Sequence, residues 1–302
     1  MKLKAFIGGT LAALATAVSI GSAQAQDSKI DEIRERGTLR MAGILSEDPY
    51  FAKDPRTGEW RGFAVSMARD IAETLGVELE VVESSWSNSI LDVQSGKVDL
   101  ALALTALPKR AMAISFSDPT YYNSFVIISP NEALADKGWA ELNDPAYTIA
   151  VDLGSSQDNI ARQYLPNANV LRFKSRDEAV IAVTTGKADA MINTVLNSVV
   201  MSKKNPALGT VYVPEPTLSS PSVIGLNYDT DETWKAFISA WADYNRRVGN
   251  NQTWIVESLA PFDVTLDDLP EGSTSADKPV FTTHSRRAFG ASTLPIFEDL
   301  HV

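Results

Sequence analysis

Two stretches ninety residues apart share one design: SGKVDLALALT at 95–105 and TGKADAMINTV at 185–195. Each sets Gly-Lys behind a helical pattern, then x-Asp-x, then an apolar run that reads as a strand buried on both faces. Such a strand needs helices above and below it, which selects a parallel sheet with right-handed crossovers. The flanking segments agree. Residues 61–75 carry Ala64, Met67, Ala68, Ile71 and Leu75 at helical spacing, with Gly76 as the stop. Val77, Leu79 and Val81 then alternate as a strand, residues 87–94 suit a short helix, and 98–104 form the first buried strand. The second half repeats the order, with strands at 148–151 and 170–173 and helices at 157–164 and 177–183. Two similar βαβ units on one chain predict two lobes of one design.

Two further strands, 125–128 and 223–226, read as chain crossings between those lobes, a hinge rather than a single linker. A helix over 232–248 places Trp234, Phe237, Ile238, Trp241 and Val248 on one stripe and is expected to pack back on the first lobe. The expected division is residues 26–127 with 222–269 as lobe one and 128–221 as lobe two. Residues 270–302 turn to Gly, Ser, Thr, Asp and Pro and carry no pattern that assigns structure.

The start of the chain predicts export. Lys2 and Lys4 precede an apolar, alanine-rich run over 5–20, and Ala23-Gln24-Ala25 supplies a small-x-small cleavage site. The run is too short for a permanent membrane anchor. The chain has no cysteine, so neither a lipid-bearing cysteine nor a disulfide is available and a packed core must supply stability. The formal charge of −11 becomes −13 once Lys2 and Lys4 are removed, which argues against nucleic acid or an anionic membrane as a partner. The two histidines, His284 and His301, lie in the C-terminal tail, which excludes a serine–histidine triad or a histidine-rich metal site in the body.

Several segments together resemble the polar amino-acid-binding proteins of bacterial ABC importers, periplasmic solute-binding proteins of family 3. They are IDEIRERGTLRMAG at 30–43, GFAVSMARDIAETLGV at 62–77, TALPKRAMAISFSDPTYYN at 105–123, VDLGSSQD at 151–158 and GKADAMI at 186–192. The resemblance covers about residues 30–259. It implies a type II, two-lobed α/β fold, each lobe a mostly parallel sheet flanked by helices and joined by two hinge strands. It further implies a small-molecule ligand between the lobes, ABC permease subunits as partners, no cofactor, and a periplasmic, unanchored monomer.

The same resemblance assigns site residues. Arg110, with Thr105 five residues before it, matches the carboxylate anchor, and a forked guanidinium suits both oxygens of a carboxylate. Ser156, at a helix start whose free N–H groups favour anions, would cap the same group, or serve as that helix's N-cap. Trp86 falls at the aromatic platform, and Ala103 where a backbone carbonyl would receive an ammonium. Three positions depart from the pattern. Thr194 stands where the second lobe's ammonium-binding aspartate is expected, Ile44 where the first lobe has one, and Glu47 where a stacking aromatic is common. Either Glu47 supplies the missing charge, with Asn193 adding an uncharged hydrogen bond, or the ligand lacks an α-ammonium; Glu47 with Trp86 would also suit a quaternary ammonium. A lyase on the same scaffold, like the cyclohexadienyl dehydratases, is the rival. It needs a general acid after Asp189, and residues 191–200 contain no Asp, Glu, His or Lys.

Overall fold

The computed structural model describes residues 28–228, 232–271 and 273. The expected export signal, both histidines and nearly all of the 270–302 extension lie outside these residues. Eight long strands carry the architecture: β1 (Thr38–Ile44), β2 (Glu78–Ser84), β3 (Leu100–Thr105), β4 (Tyr121–Ser129), β5 (Thr148–Asp152), β6 (Asn169–Phe173), β7 (Ala190–Thr194) and β8 (Ser219–Leu226). They run in the order β2-β1-β3-β8-β4-β7-β5-β6. The outer three on each side are parallel, while β8 and β4 are antiparallel to their neighbours and to each other. The two halves therefore use the same local order around a central antiparallel pair. That pair is the two long crossing segments expected from 125–128 and 223–226.

The repeated motif has one structural meaning in both halves. Helices α3 (Trp86–Gln94) and α5 (Arg176–Thr184) each end at a cap followed by a left-handed glycine, Gly96 and Gly186, both at φ 72°. The aspartate that follows ties its strand to the neighbouring parallel strand. Asp99 N–H donates to Arg40 O at 2.8 Å and its carboxylate accepts Arg40 N–H at 2.8 Å. Asp189 does the same with Thr148, at 2.8 and 2.7 Å. The motif is thus a register clamp.

Both faces of the second half are packed, which explains the unbroken apolar runs. Ile127, Ile149, Val151 and Ile192 point into one core with Trp139 and Ile160. Their neighbours Ile128, Ala150 and Met191 point into another, with Ala179 and Val183 of α5. In the first half, α2 (Phe63–Leu75) packs with α7 (Thr233–Val248) and α8 (Asn250–Leu259) around Phe63, Met67, Trp234, Ile238 and Ile255. Trp241 donates to Asp70 at 2.6 Å and stacks on Trp254. Trp234, Ile238 and Trp241 are buried as expected, but Val248 is 52% exposed because α7 ends there at a left-handed glycine that turns the chain into α8.

Asp99 gives a first test of this frame. Its side chain is wholly buried against Lys29 at 3.1 Å and Arg40 at 2.9 Å. Burial alone would raise its pKa, but bonds from the Arg40 side chain and N–H, with Lys29, hold it below the ordinary carboxylate value. A depressed folded-state pKa contributes stability above the unfolded value and loses it as pH falls through that range. Asp99→Ala should cost about 2–3 kcal/mol in urea unfolding at pH 7, because the cations can turn to solvent while the strand clamp is lost. The loss should shrink toward pH 3. A variant as stable as the parent at pH 7 would show the clamp to be idle.

Candidate ligand site

The C-terminal end of β3 and the loops facing it enclose one cavity between the two halves of the sheet. Its free interior is small, about 30 Å³. Glu47, Trp86, Ala103, Thr105, Arg110, Ser156 and Thr194 all line it, drawn from five separate stretches of chain. Asn193 does not. Tyr50, Asn123, Gln157, Asn197, Ser220 and Ser222 complete the wall, and none of them was legible from the sequence.

Arg110 is delivered by a tight turn after β3, where its N–H bonds Leu107 O at 2.9 Å. Only 7% of the residue is exposed. Its guanidinium donates to two backbone carbonyls, Thr105 O at 3.1 Å and Gly154 O at 3.0 Å, the second across the cavity. Among the described residues no carboxylate pairs with it, and burial pushes its pKa down to about 10. Ala103 sits at φ 59°, a left-handed conformation costly for a residue with a Cβ, beside the register shift where β3 meets β8. That distortion lies on the cavity wall.

Two helix starts face the same space. Ser85 caps α3, which leaves Trp86 as its first residue. The helix α4 (Ser156–Tyr164) is capped by Ser155, whose hydroxyl accepts Asp158 N–H at 3.2 Å, so Ser156 is the first helical residue and not the cap. Its hydroxyl contacts Gln157 Oε1 at 3.1 Å. Gly154, at φ 76°, lies close against the other half: a Cβ there would sit 3.1 Å from Ser87.

Glu47 is neither a solvated loop residue nor an open anion. It is 1% exposed and accepts Trp86 Nε1–H at 2.8 Å. It also accepts the Arg176 guanidinium at 3.0 and 3.2 Å. Arg176, the first residue of α5, lies 2.8 Å from Asp152 as well and is itself 3% exposed. Two carboxylates thus share one guanidinium. Desolvation first, and the proximity of Asp152 further, push Glu47 up to about 7 against the pull of Arg176; burial raises Asp152 too. Asn193 stands behind the wall, accepting Arg176 Nη1–H at 2.7 Å and Thr194 N–H at 2.8 Å. Its amide is spent on holding Arg176, which corrects the expectation that it adds a bond to a ligand.

Thr194 lines the cavity beside Tyr50, with their hydroxyls 3.0 Å apart. Asn123 donates to the same phenol, and burial pushes the Tyr50 pKa up to about 12, so the phenol stays neutral. Further bonds join the halves at the cleft rim: Lys204 to Asp48 at 2.6 Å and Ser46 to Asp177 at 2.8 Å. The described state is shut.

Known proteins are similar to this chain in sequence and fold. Cyclohexadienyl dehydratase of Pseudomonas aeruginosa is 29% identical over 233 residues, covering 76% of this chain and 85% of the relative. A probable histidine-binding protein of Campylobacter jejuni is 27% identical over 199 residues, 65% of this chain and 75% of the relative. The crystal structure of an ancestral amino-acid-binding protein, a precursor of cyclohexadienyl dehydratase, superposes with a TM-score of 0.68 at 27% identity, over 78% of this chain and 99% of that one. An L-arginine-bound substrate-binding protein of Streptococcus pneumoniae shares the fold, with a TM-score of 0.70 at 22% identity, over 78% of this chain and 99% of that one. The fold is the two-lobed type II periplasmic binding protein fold. The model of bacterial extracellular solute-binding proteins, family 3, matches residues 39–210, and the chain belongs to that family.

Proposed function

We propose that the chain is the periplasmic substrate-binding protein of an ABC importer and captures a small carboxylate-bearing solute. Lobe one would be residues 26–127 with 222–269, lobe two 128–221, and the cleft between them would close on the ligand. One observation carries the reading: a buried guanidinium, Arg110, faces an enclosed cavity with only backbone carbonyls as partners. A buried cation without a counter-charge is costly, and a ligand carboxylate is the natural partner. In this reading Thr105 and Ser156 add hydroxyl contacts, Trp86 flanks the ligand's side chain, and Thr194 closes over it from lobe two. Contacts made from both lobes at once are what favour the shut form a permease would recognise.

The test is a thermal-shift screen of carboxylates followed by small-angle scattering. A ligand at 100 times its dissociation constant should add about 2.7 kcal/mol of stability, and it should compact the chain. If no carboxylate does either, the reading fails.

A second reading has a specific observation behind it. Glu47, held near neutral pKa, lines the same cavity as Arg110, and one relative is a dehydratase. A protonated Glu47 could pass its proton to the leaving hydroxyl of a cyclohexadienyl acid, releasing water as the ring carboxylate leaves as carbon dioxide. Against it, Glu47 Oε1 already accepts from both Trp86 and Arg176. Incubating purified protein with prephenate decides: an aromatic product that Glu47→Gln no longer forms would establish catalysis.

A further inference from the structure

The cavity wall is lopsided in charge. Among the described residues that line it, Arg110 and Glu47 are the charged ones. Arg110 is open to a ligand, but Glu47 is not equally so. From outside the cavity Arg176 reaches both oxygens of Glu47, at 3.0 and 3.2 Å. Asn193 and Asp152 hold that guanidinium in turn, at 2.7 and 2.8 Å, and neither of them lines the cavity. The remaining polar wall is neutral, built of hydroxyls such as those of Tyr50, Thr194 and Ser222 and of amides such as those of Asn123 and Gln157.

An ammonium seeking Glu47 would have to share that carboxylate with Arg176. Bonded to Oε2, it would lie within about 6 Å of a guanidinium in a dry site, a separation at which like charges still repel strongly. A hydroxy oxygen in the same place can donate to Glu47, and a keto oxygen can accept from the hydroxyls and amides of the wall. A hydroxyl can both donate and accept, as Tyr50 and Thr194 do between themselves.

We propose that Arg176 occupies both oxygens of the cavity's carboxylate from behind, so that the site selects a carboxylic acid bearing a keto or hydroxy oxygen, rather than an ammonium, on the adjacent carbon. This rests on the carboxylate anchor at Arg110 proposed above. Arg176 would act as a specificity-determining residue through Glu47, without touching the ligand itself.

The experiment is calorimetric titration with matched trios that share a side chain: alanine, lactate and pyruvate; phenylalanine, phenyllactate and phenylpyruvate; glutamate, 2-hydroxyglutarate and 2-oxoglutarate. In the trio that binds, the keto or hydroxy member should bind at least about tenfold tighter than the amino acid, the equivalent of 1.4 kcal/mol. Arg176→Met should shrink or reverse that ratio by freeing Glu47. Thr194→Asp, which adds a carboxylate to the wall without disturbing Arg176, should improve the amino acid about tenfold and keeps the test alive if Arg176→Met does not fold. An amino acid that binds as tightly as its oxygen analogues, and loses binding in Arg110→Met, would overturn the selectivity while leaving the anchor intact. An unchanged ratio in a folded Arg176→Met would overturn the role of Arg176. If no member of any trio binds, the anchor fails and this inference falls with it.

Discussion

Replacing Arg110 with methionine is expected to abolish the thermal response to every carboxylate ligand and, in the same protein, to raise the melting temperature without ligand. The first effect follows from lost contacts. Two charge-assisted bonds to a carboxylate, each about 1.5–3 kcal/mol, account for at least about 100-fold in affinity. The second follows from what the guanidinium costs while it waits. Its surroundings desolvate it and supply two carbonyls but no anion. Its folded-state pKa of about 10 lies below the ordinary value, so remaining charged at neutral pH works against folding. Methionine fills similar volume without the charge. The carbonyls left behind at Thr105 and Gly154 return part of the gain, and about 1 kcal/mol of net stabilisation remains. Differential scanning fluorimetry with and without ligand reads both effects. A retained ligand shift would show that the anchor lies elsewhere. A fall in the ligand-free melting temperature would mark Arg110 as a structural residue.

The fold was legible because its signals are local. Glycine stops, helix caps and apolar runs each act within a few residues, and the motif at 95–105 and 185–195 repeats one clamp in two places. Arg110, Thr105, Ser156 and Trp86 were legible for the same reason, since each is tied to the end of a strand or the start of a helix. What the sequence hid is what the halves do to each other. Glu47 and Arg176 are 129 residues apart, and nothing near either announces the other. Arg176 opens a helix in an ordinary polar stretch, where an arginine is usually solvated; it is buried because β5 and the Glu47 segment converge on it. Tyr50 likewise meets Thr194, 144 residues along the chain, across the cleft. Helix α8 escaped notice because its buried residues, Asn251, Gln252, Ile255 and Leu259, are half polar and give no apolar stripe.

Arg176→Met should be the most destabilising single change at the site, and its cost should depend steeply on pH. In the parent protein one guanidinium serves two buried carboxylates. Glu47 faces Arg176, Asp152, the Trp86 indole and Tyr50; Asp152 faces Arg176 and Asp177. Burial first, and the second carboxylate further, favour a proton on Glu47, which raises its pKa from the ordinary 4.5 to about 7. A carboxyl with a raised folded-state value holds a proton that the unfolded chain has already released, so parent stability should fall as pH rises from about 4.5 to about 7 and level off above. Removing the guanidinium leaves both carboxylates without a counter-charge, at a cost of about 3–5 kcal/mol at pH 8. Near pH 5 both carboxyls can take up protons, and most of that cost should vanish. The cost also divides by location. Asp152 and Arg176 belong to the same half, so their separation burdens folding, whereas Glu47 approaches from the other half and its loss of a partner burdens closure. Adding Glu47→Gln to Arg176→Met should therefore restore closure at pH 8, read as compaction by scattering, while recovering only part of the folding stability. A loss of equal size at pH 5 and pH 8 would mean that Arg176 matters for packing alone, and the charge balance drawn here would be wrong.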